Sequence, residues 1–156
     1  MALKKERRLS LTPGDKYFPK WEVRVSAETS VNPSEDPDKV VRCLANIING
    51  GTPRILINNA LVTCEGIHSL HHIRVGIKSR LSEGVLRRLL EYNRRDNTTW
   101  FLLNKQAALS GVIALVEDWD ESSLGPIRVT IDSRDLDKVI DWLTPNMARI
   151  NHEREL

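Results

Sequence analysis

Arg87, Arg88, Arg94 and Arg95 fall within nine residues of one another. On a helical wheel, at about 100° per residue, Arg87, Arg88, Glu91, Arg94 and Arg95 share one arc. Val85, Leu86, Leu89 and Leu90 share the opposite one. A guanidinium fork can grip two phosphate oxygens, so such a face suits a nucleic-acid backbone. Residues 85–95 of a helix span about 15 Å, enough to meet several phosphates along a strand. Contacts to phosphate and to helical shape would dominate, because no ladder of aromatics accompanies the arginines. Two other readings stand beside this one. The face can be solvated, with Glu91 paired to Arg87 or Arg95 at four-residue spacing. It can also meet the acidic half of a partner subunit.

The surrounding charge supports a basic surface. From Gly66 to Val116 the chain holds eight Lys and Arg residues against three acids. The basic ones include Arg74, Lys78 and Lys105 as further candidates for phosphate contact. From Glu117 to Leu156 there are five basic and ten acidic residues. The whole-chain balance of 23 basic to 21 acidic residues is therefore a cancellation between unlike segments.

Other chemistry-bearing residues are less specific. Asn104-Lys105-Gln106 joins two apolar runs, TTWFLL and VIALVE. Lys105 there suits a phosphate or a base, and the triplet equally suits a turn whose polar side chains satisfy backbone groups. A lysine nucleophile would need a depressed pKa and a substrate pocket, and neither is visible in the sequence. His68, His71 and His72 invite a metal reading, but no HExxH and no acidic or Cys ligand at the required spacing accompanies them. Surface histidines are expected. The acids of residues 117–121 lack calcium-loop spacing, so a solvated loop is expected that would repel RNA. Trp100 and Phe101 point to opposite faces of a strand, and the core or a dimer interface is favoured over base stacking. Cys43 and Cys64 sit among apolar and β-forming residues and are expected to be reduced, mostly buried thiols. No glycine-rich phosphate loop or nucleophile elbow occurs, so no catalytic residue and no cofactor is expected.

The elements that would position these residues are legible from periodicity. At 156 residues, with 40% apolar and 28% charged residues, the chain suits one domain with its own core. No apolar run approaches the roughly 20 residues of a membrane span. Residues 1–20 read as a basic tail without an apolar signal region, which makes the cytosol the expected compartment. Residues 21–145 read as the domain and 146–156 as a tail. Alternation predicts strands over residues 21–30 and 127–132. Asp36-Pro37 opens a helix with Val40, Val41, Leu44, Ile47 and Ile48 on one face. Residues 54–58 and 61–65 suggest a hairpin turning at Asn59-Ala60. One helix is predicted over residues 67–80, with an apolar face running from Ile67 to Leu81 and weakened by Gly76. Ser82 would cap the next helix, with Glu83 favouring its dipole. Residues 98–103 read as a strand, and 107–109 as a short helical turn. The nearly continuous apolar run 112–117 suggests a central strand. Asp132 or Ser133 would cap a last helix that ends at Pro145. The order β-α-β-β-α-α-β-β-β-α predicts an α+β fold of two layers, a mostly antiparallel sheet with helices packed on one face.

Three segments resemble a known family. They are VRVSAETSVNPSEDPDKV at 23–40, WFLLNKQAALSGVIALVE at 100–117 and SSLGPIRVTID at 122–132, with LNKQAA and LGPI the most specific pieces. They resemble an archaeal family of small proteins described as predicted RNA-binding proteins and named after an operon that contains dephospho-coenzyme A kinase. The resemblance covers residues 21–145. It implies an α+β fold similar to the 5S-rRNA-binding protein of the large ribosomal subunit, and a homodimer. It implies no established activity. The leading expectation is a non-catalytic RNA-binding homodimer. The alternatives are a protein interaction module and a regulator linked to coenzyme A metabolism, which a cleft with converging polar groups around Lys105 would support.

Overall fold

A computed structural model describes residues 18–148. The expectations placed on residues 1–17 and 149–156 lie outside them.

Strand β1 (Val23–Ser30) buries Val23, Val25, Ala27 and Thr29 and turns the residues between them outward, as alternation requires. Helix α1 (Pro37–Ile47) starts where Asp36 accepts the Asp38 N–H at 3.0 Å, with Pro37 at the position whose N–H is unneeded. It buries Val40, Cys43, Leu44 and Ile47. Strands β2 (Arg54–Ile55) and β3 (Asn59–Glu65) form the expected hairpin, but the turn lies earlier. The Leu56 N–H donates to the Asn59 carbonyl at 2.7 Å, leaving Ile57-Asn58 as the turn. Asn59 and Ala60 are strand residues because they pair with Ser30 and Thr29 of β1.

The single helix expected over residues 67–80 is two pieces. A 3-10 turn (Ile67–Leu70) leads into helix α2 (His71–Ser79). Ile67, Leu70, Ile73 and Ile77 are buried, but Leu81 lies past the helix end with φ +54° and is 92% exposed. Gly76 is required for packing. A Cβ built on it would fall 2.5 Å from Ile113 Cγ1. Alanine would gain about 1 kcal/mol of helix propensity, whereas overpacking costs about 1–3 kcal/mol. Gly76→Ala should therefore lower stability in urea unfolding, and because that Cβ would also fall 2.6 Å from Ile113 Cβ, only Ile113→Gly, not Ile113→Ala, removes both overlaps in the double variant. A more stable Gly76→Ala protein would refute the close approach.

Helix α3 (Glu83–Tyr92) buries Leu86 and Leu90. Ser82 precedes it but makes no capping bond, and its hydroxyl donates to the Arg80 carbonyl instead. Glu83 is buried and accepts from the Asn146 backbone N–H and side-chain amide at 3.1 and 2.7 Å. That pair ties the chain beyond the last strand to the start of α3. Strand β4 (Thr98–Leu103) runs into a short helix α4 (Lys105–Leu109), with Asn104 Oδ1 accepting the Ala107 N–H. Strand β5 (Leu115–Val116), a 3-10 turn (Trp119–Glu121), strand β6 (Ile127–Ser133) and helix α5 (Leu136–Leu143) complete the order. Ser133 Oγ accepts the Asp135 N–H just before α5.

The six strands form one sheet in the order β2-β3-β1-β6-β4-β5, and every pairing is antiparallel. The run 112–117 is thus an edge, not a centre. Helix α4 reverses the chain and lays Leu115 and Val116 beside Leu103 and Leu102, on the side away from β6. The run is apolar because Ile113 packs on α2. The core lies between the helices and one face of the sheet, with Val25, Val62, Phe101 and Val129 among its strand residues. The opposite face carries rows fixed by register. One is Thr63, Ser26, Thr130 and Trp100; the next is Leu61, Glu28, Arg128 and Leu102. No helix of the described residues is long and apolar enough to cross a membrane.

Candidate nucleic-acid interface

The end of α3 is held firmly. The Asn93 N–H closes on Leu89 O at 2.9 Å, and the Asn93 side chain donates to Trp100 O at 2.9 Å. Thr99 Oγ1 donates to Leu90 O at 2.6 Å. Arg95 and Thr98 exchange both backbone hydrogen bonds across a tight loop whose Asp96 has φ +54°. The arginines therefore project from a fixed frame.

Most of them meet acids of their own chain. Arg87 donates to Glu91 at 3.0 Å, to Asp141 at 2.8 Å and to Thr144, and its side chain is only 16% exposed. Arg88 pairs with Glu117 and stays 64% exposed. Arg94 pairs with Asp137 of α5 and donates to the Asp96 carbonyl. Arg95 is exposed and has no acidic partner among the described residues. Its guanidinium donates to the Arg94 carbonyl at 2.7 Å and reaches Tyr92 O at 3.5 Å, at the helix end that favours a cation. The Arg87–Glu91 pair is the one four-residue spacing allows. The meeting of the basic and acidic segments occurs within one chain.

Of the other candidates, Arg74 reaches the same end of α5 as Arg87. Arg74 lies on the Trp142 ring, 4.5 Å from its centroid, and donates to Trp142 O at 2.8 Å. Lys78 is exposed near the end of α2. Lys105 is inside. Its side chain is 3% exposed, and its ammonium donates to Ser30 O and Leu124 O, both at 2.8 Å, and to Glu35 at 3.1 Å. With three N–H groups and three partners, it has none to offer a phosphate. Glu35 also accepts from the Asn32 backbone and side chain at 3.1 and 2.6 Å. Burial alone would raise the Glu35 carboxyl, but these bonds and the Lys105 charge outweigh it and hold the group below the usual range. The turn reading of the triplet accounts for Asn104, and the lysine closes a clasp.

A cleft of about 300 Å³ lies over that clasp, lined by Glu35, Lys39, Val40, Cys43, Gln106 and Leu124 among others. Burial pushes the Cys43 thiol up, more than the Lys105 charge draws it down, so the sulfur is a neutral donor to Lys105 O. Cys43 and Cys64 are both free. Trp100 is half-buried beneath the Arg128 guanidinium at 4.6 Å, and Phe101 is in the core. The histidines do not converge. His72 contacts Gly111 O at 2.8 Å, and His71 meets Phe18 edge-on. No group of three metal-ligating side chains occurs among the described residues. The acids expected as a solvated loop form the 3-10 turn, with Asp118 and Glu121 capping reciprocally. Tyr92 escaped the sequence reading. It is 80% exposed, and its place beside Arg88 at the margin of the polar arc is the signal that was available.

These features define a one-sheet α+β protein that carries an arginine-bearing helix end on a rigid frame. A family model described as RNA binding matches residues 24–133. The chain belongs to that archaeal family. It is 35% identical over 137 residues to the UPF0201 protein of Sulfurisphaera tokodaii, covering 81% of this chain and 90% of the relative. It is 34% identical over 128 residues to the UPF0201 protein of Methanothermobacter thermautotrophicus, covering 80% and 93%. The crystal structure of a UPF0201 protein from Methanococcus jannaschii superposes with a TM-score of 0.68 at 25% identity, covering 78% of this chain and 92% of that one.

Proposed function

We propose that this protein binds RNA without catalysing a reaction, through the C-terminal end of α3 and the loop that follows it. Arg88, Arg94 and Arg95 contact phosphates, and Arg87 holds α3 against α5. The observation that carries this reading is Arg95, exposed on the tight loop after α3 and without an acidic partner among the described residues. The family description supports the ligand class. With about three phosphates engaged, affinity should fall about 20- to 40-fold between 50 and 200 mM salt. Titration of labelled RNA at several salt concentrations measures this, and a salt-independent interaction would refute it. The implied homodimer belongs to the same proposal, and sedimentation tests it.

A second reading has one observation in its favour. The cleft over Lys105 has the converging polar groups that a small-molecule regulator needs, and Lys39 at its rim suits an anion. A thermal shift with nucleotides or coenzyme A precursors would support it. The clasp argues against it, since Lys105 and Glu35 already satisfy one another.

A further inference from the structure

The aromatic side chains separate into occupied and open ones. Trp100 lies under Arg128, Trp142 lies under Arg74 with Phe18 edge-on at 6.1 Å, and Phe101 is fully buried. Two large aromatic rings among the described residues stand mostly in water, Trp119 at 52% and Tyr92 at 80%. Their surroundings differ in sign. Trp119 lies in a turn with Asp118, Asp120 and Glu121, which repels phosphate. Tyr92 is the last residue of α3, with Arg88 one turn before it and Arg95 three residues after it. Residues four apart on a helix are surface neighbours. The apolar side of α3 is completed by Leu86 and Leu90, so packing does not require Tyr92.

We propose that Tyr92 is a stacking platform for one unpaired RNA base, with Arg88 and Arg95 taking the phosphates on either side. This deepens the RNA-binding reading and rests on it. An exposed tyrosine ring offers a π-face that any base can cover, and an unpaired base is the form of RNA that can lie on it. The frame around Asn93, Arg95 and Thr98 holds the helix end in place, so little backbone ordering opposes binding. Charge complementarity selects this occupant over an apolar protein partner, because Arg88 lies one helical turn before Tyr92 and the Arg95 guanidinium reaches the Tyr92 carbonyl.

The test uses the full chain with a labelled single-stranded oligouridine RNA of about ten nucleotides, and a duplex RNA of the same length. Tyr92→Ala should weaken single-strand binding about tenfold or more, while duplex binding changes less than about twofold. Tyr92→Trp should match or exceed the parent, and Tyr92→Leu should behave like alanine. Equal binding by the parent and Tyr92→Ala would overturn the platform. So would a Leu variant as tight as the parent, or an equal loss on duplex and single strand. In all three cases Arg88→Gln with Arg95→Gln still weakens both RNAs if the broader reading stands. A parent chain that binds neither RNA at low salt overturns both.

Discussion

Replacing Lys105 with alanine is expected to lower the free energy of unfolding by about 3–5 kcal/mol, because it leaves a buried carboxylate without its counter-charge. For a chain of this size that corresponds to about 6–20 °C in Tm. The loss follows from the clasp. Lys105 joins the end of β1 through Ser30, the entry to α1 through Glu35, and the approach to β6 through Leu124. The conservative variant Glu35→Gln keeps the shape but removes the charge. A double variant, Lys105→Met with Glu35→Leu, should recover only the part of the loss due to the unpaired charge, since Ser30 O and the Asn32 N–H still lose their partners. The pH dependence has a definite sign. The folded Glu35 carboxyl titrates below its unfolded value, so its contribution is fully present above the unfolded pKa of about 4.3 and is lost as pH falls through the folded one. Stability should therefore drop on acidification below about pH 4.3, and Glu35→Gln should flatten that limb. A Lys105→Ala protein within about 1 kcal/mol of the parent would contradict the buried clasp.

Reversing Arg88, Arg94 and Arg95 to glutamate should weaken RNA binding about 100-fold or more at low salt, because three phosphate contacts become three repulsions. Arg87 is left out of this set. It is 16% exposed and bonded to Asp141, Glu91 and Thr144, so changing it would disturb the fold. The same proposal carries an effect in the opposite direction. Glu117 and Asp137 pair with Arg88 and Arg94 and would compete with any phosphate for them. Exposed ion pairs are worth about 0.2–1 kcal/mol, so Glu117→Gln and Asp137→Asn should each tighten RNA binding by up to about fivefold. Their effects should add, since they act on different arginines. Binding curves that respond to neither set, with folding intact by circular dichroism, would exclude α3 as the interface.

The elements that periodicity predicted well were those whose signal is local. β1, β6 and α5 each bury the alternating or helical set that their residues prescribe, and α1 does so except that Cys43 is buried and Val41 only half-buried. The misses are tertiary. The edge position of β5 depends on one short reversal at α4 and on Ile113 meeting Gly76, neither of which leaves a pattern in the sequence. The arginines were visible as a face, but their partners Asp137 and Asp141 are 43 and 54 residues away. Lys105 was legible as part of a polar triplet with two level readings, and its burial in the clasp favours the one in which the triplet serves the fold. The clasp brings together the three segments that carried the resemblance, Glu35 from the first, Lys105 from the second and Leu124 from the third. The resemblance was therefore strongest in residues that close the fold, and weakest in guiding the choice of those that meet a ligand.

Both margins of the sheet are strands of only two residues, Arg54–Ile55 on one side and Leu115–Val116 on the other. A neighbour extending either outermost strand itself would find about 7 Å of backbone to pair with, while residues 62–65 of β3 run on past the reach of β2. Pro53 and Arg54 stand at the first margin, and Glu117 and Asp118 follow the second. Brevity, Pro53 and Arg54 limit pairing at the first margin, but Ile55, Leu56 and Ile57 there are 43%, 45% and 96% exposed, an apolar tip that favours association. The length of the outermost strands thus limits what a strand added directly to them could gain in backbone hydrogen bonds.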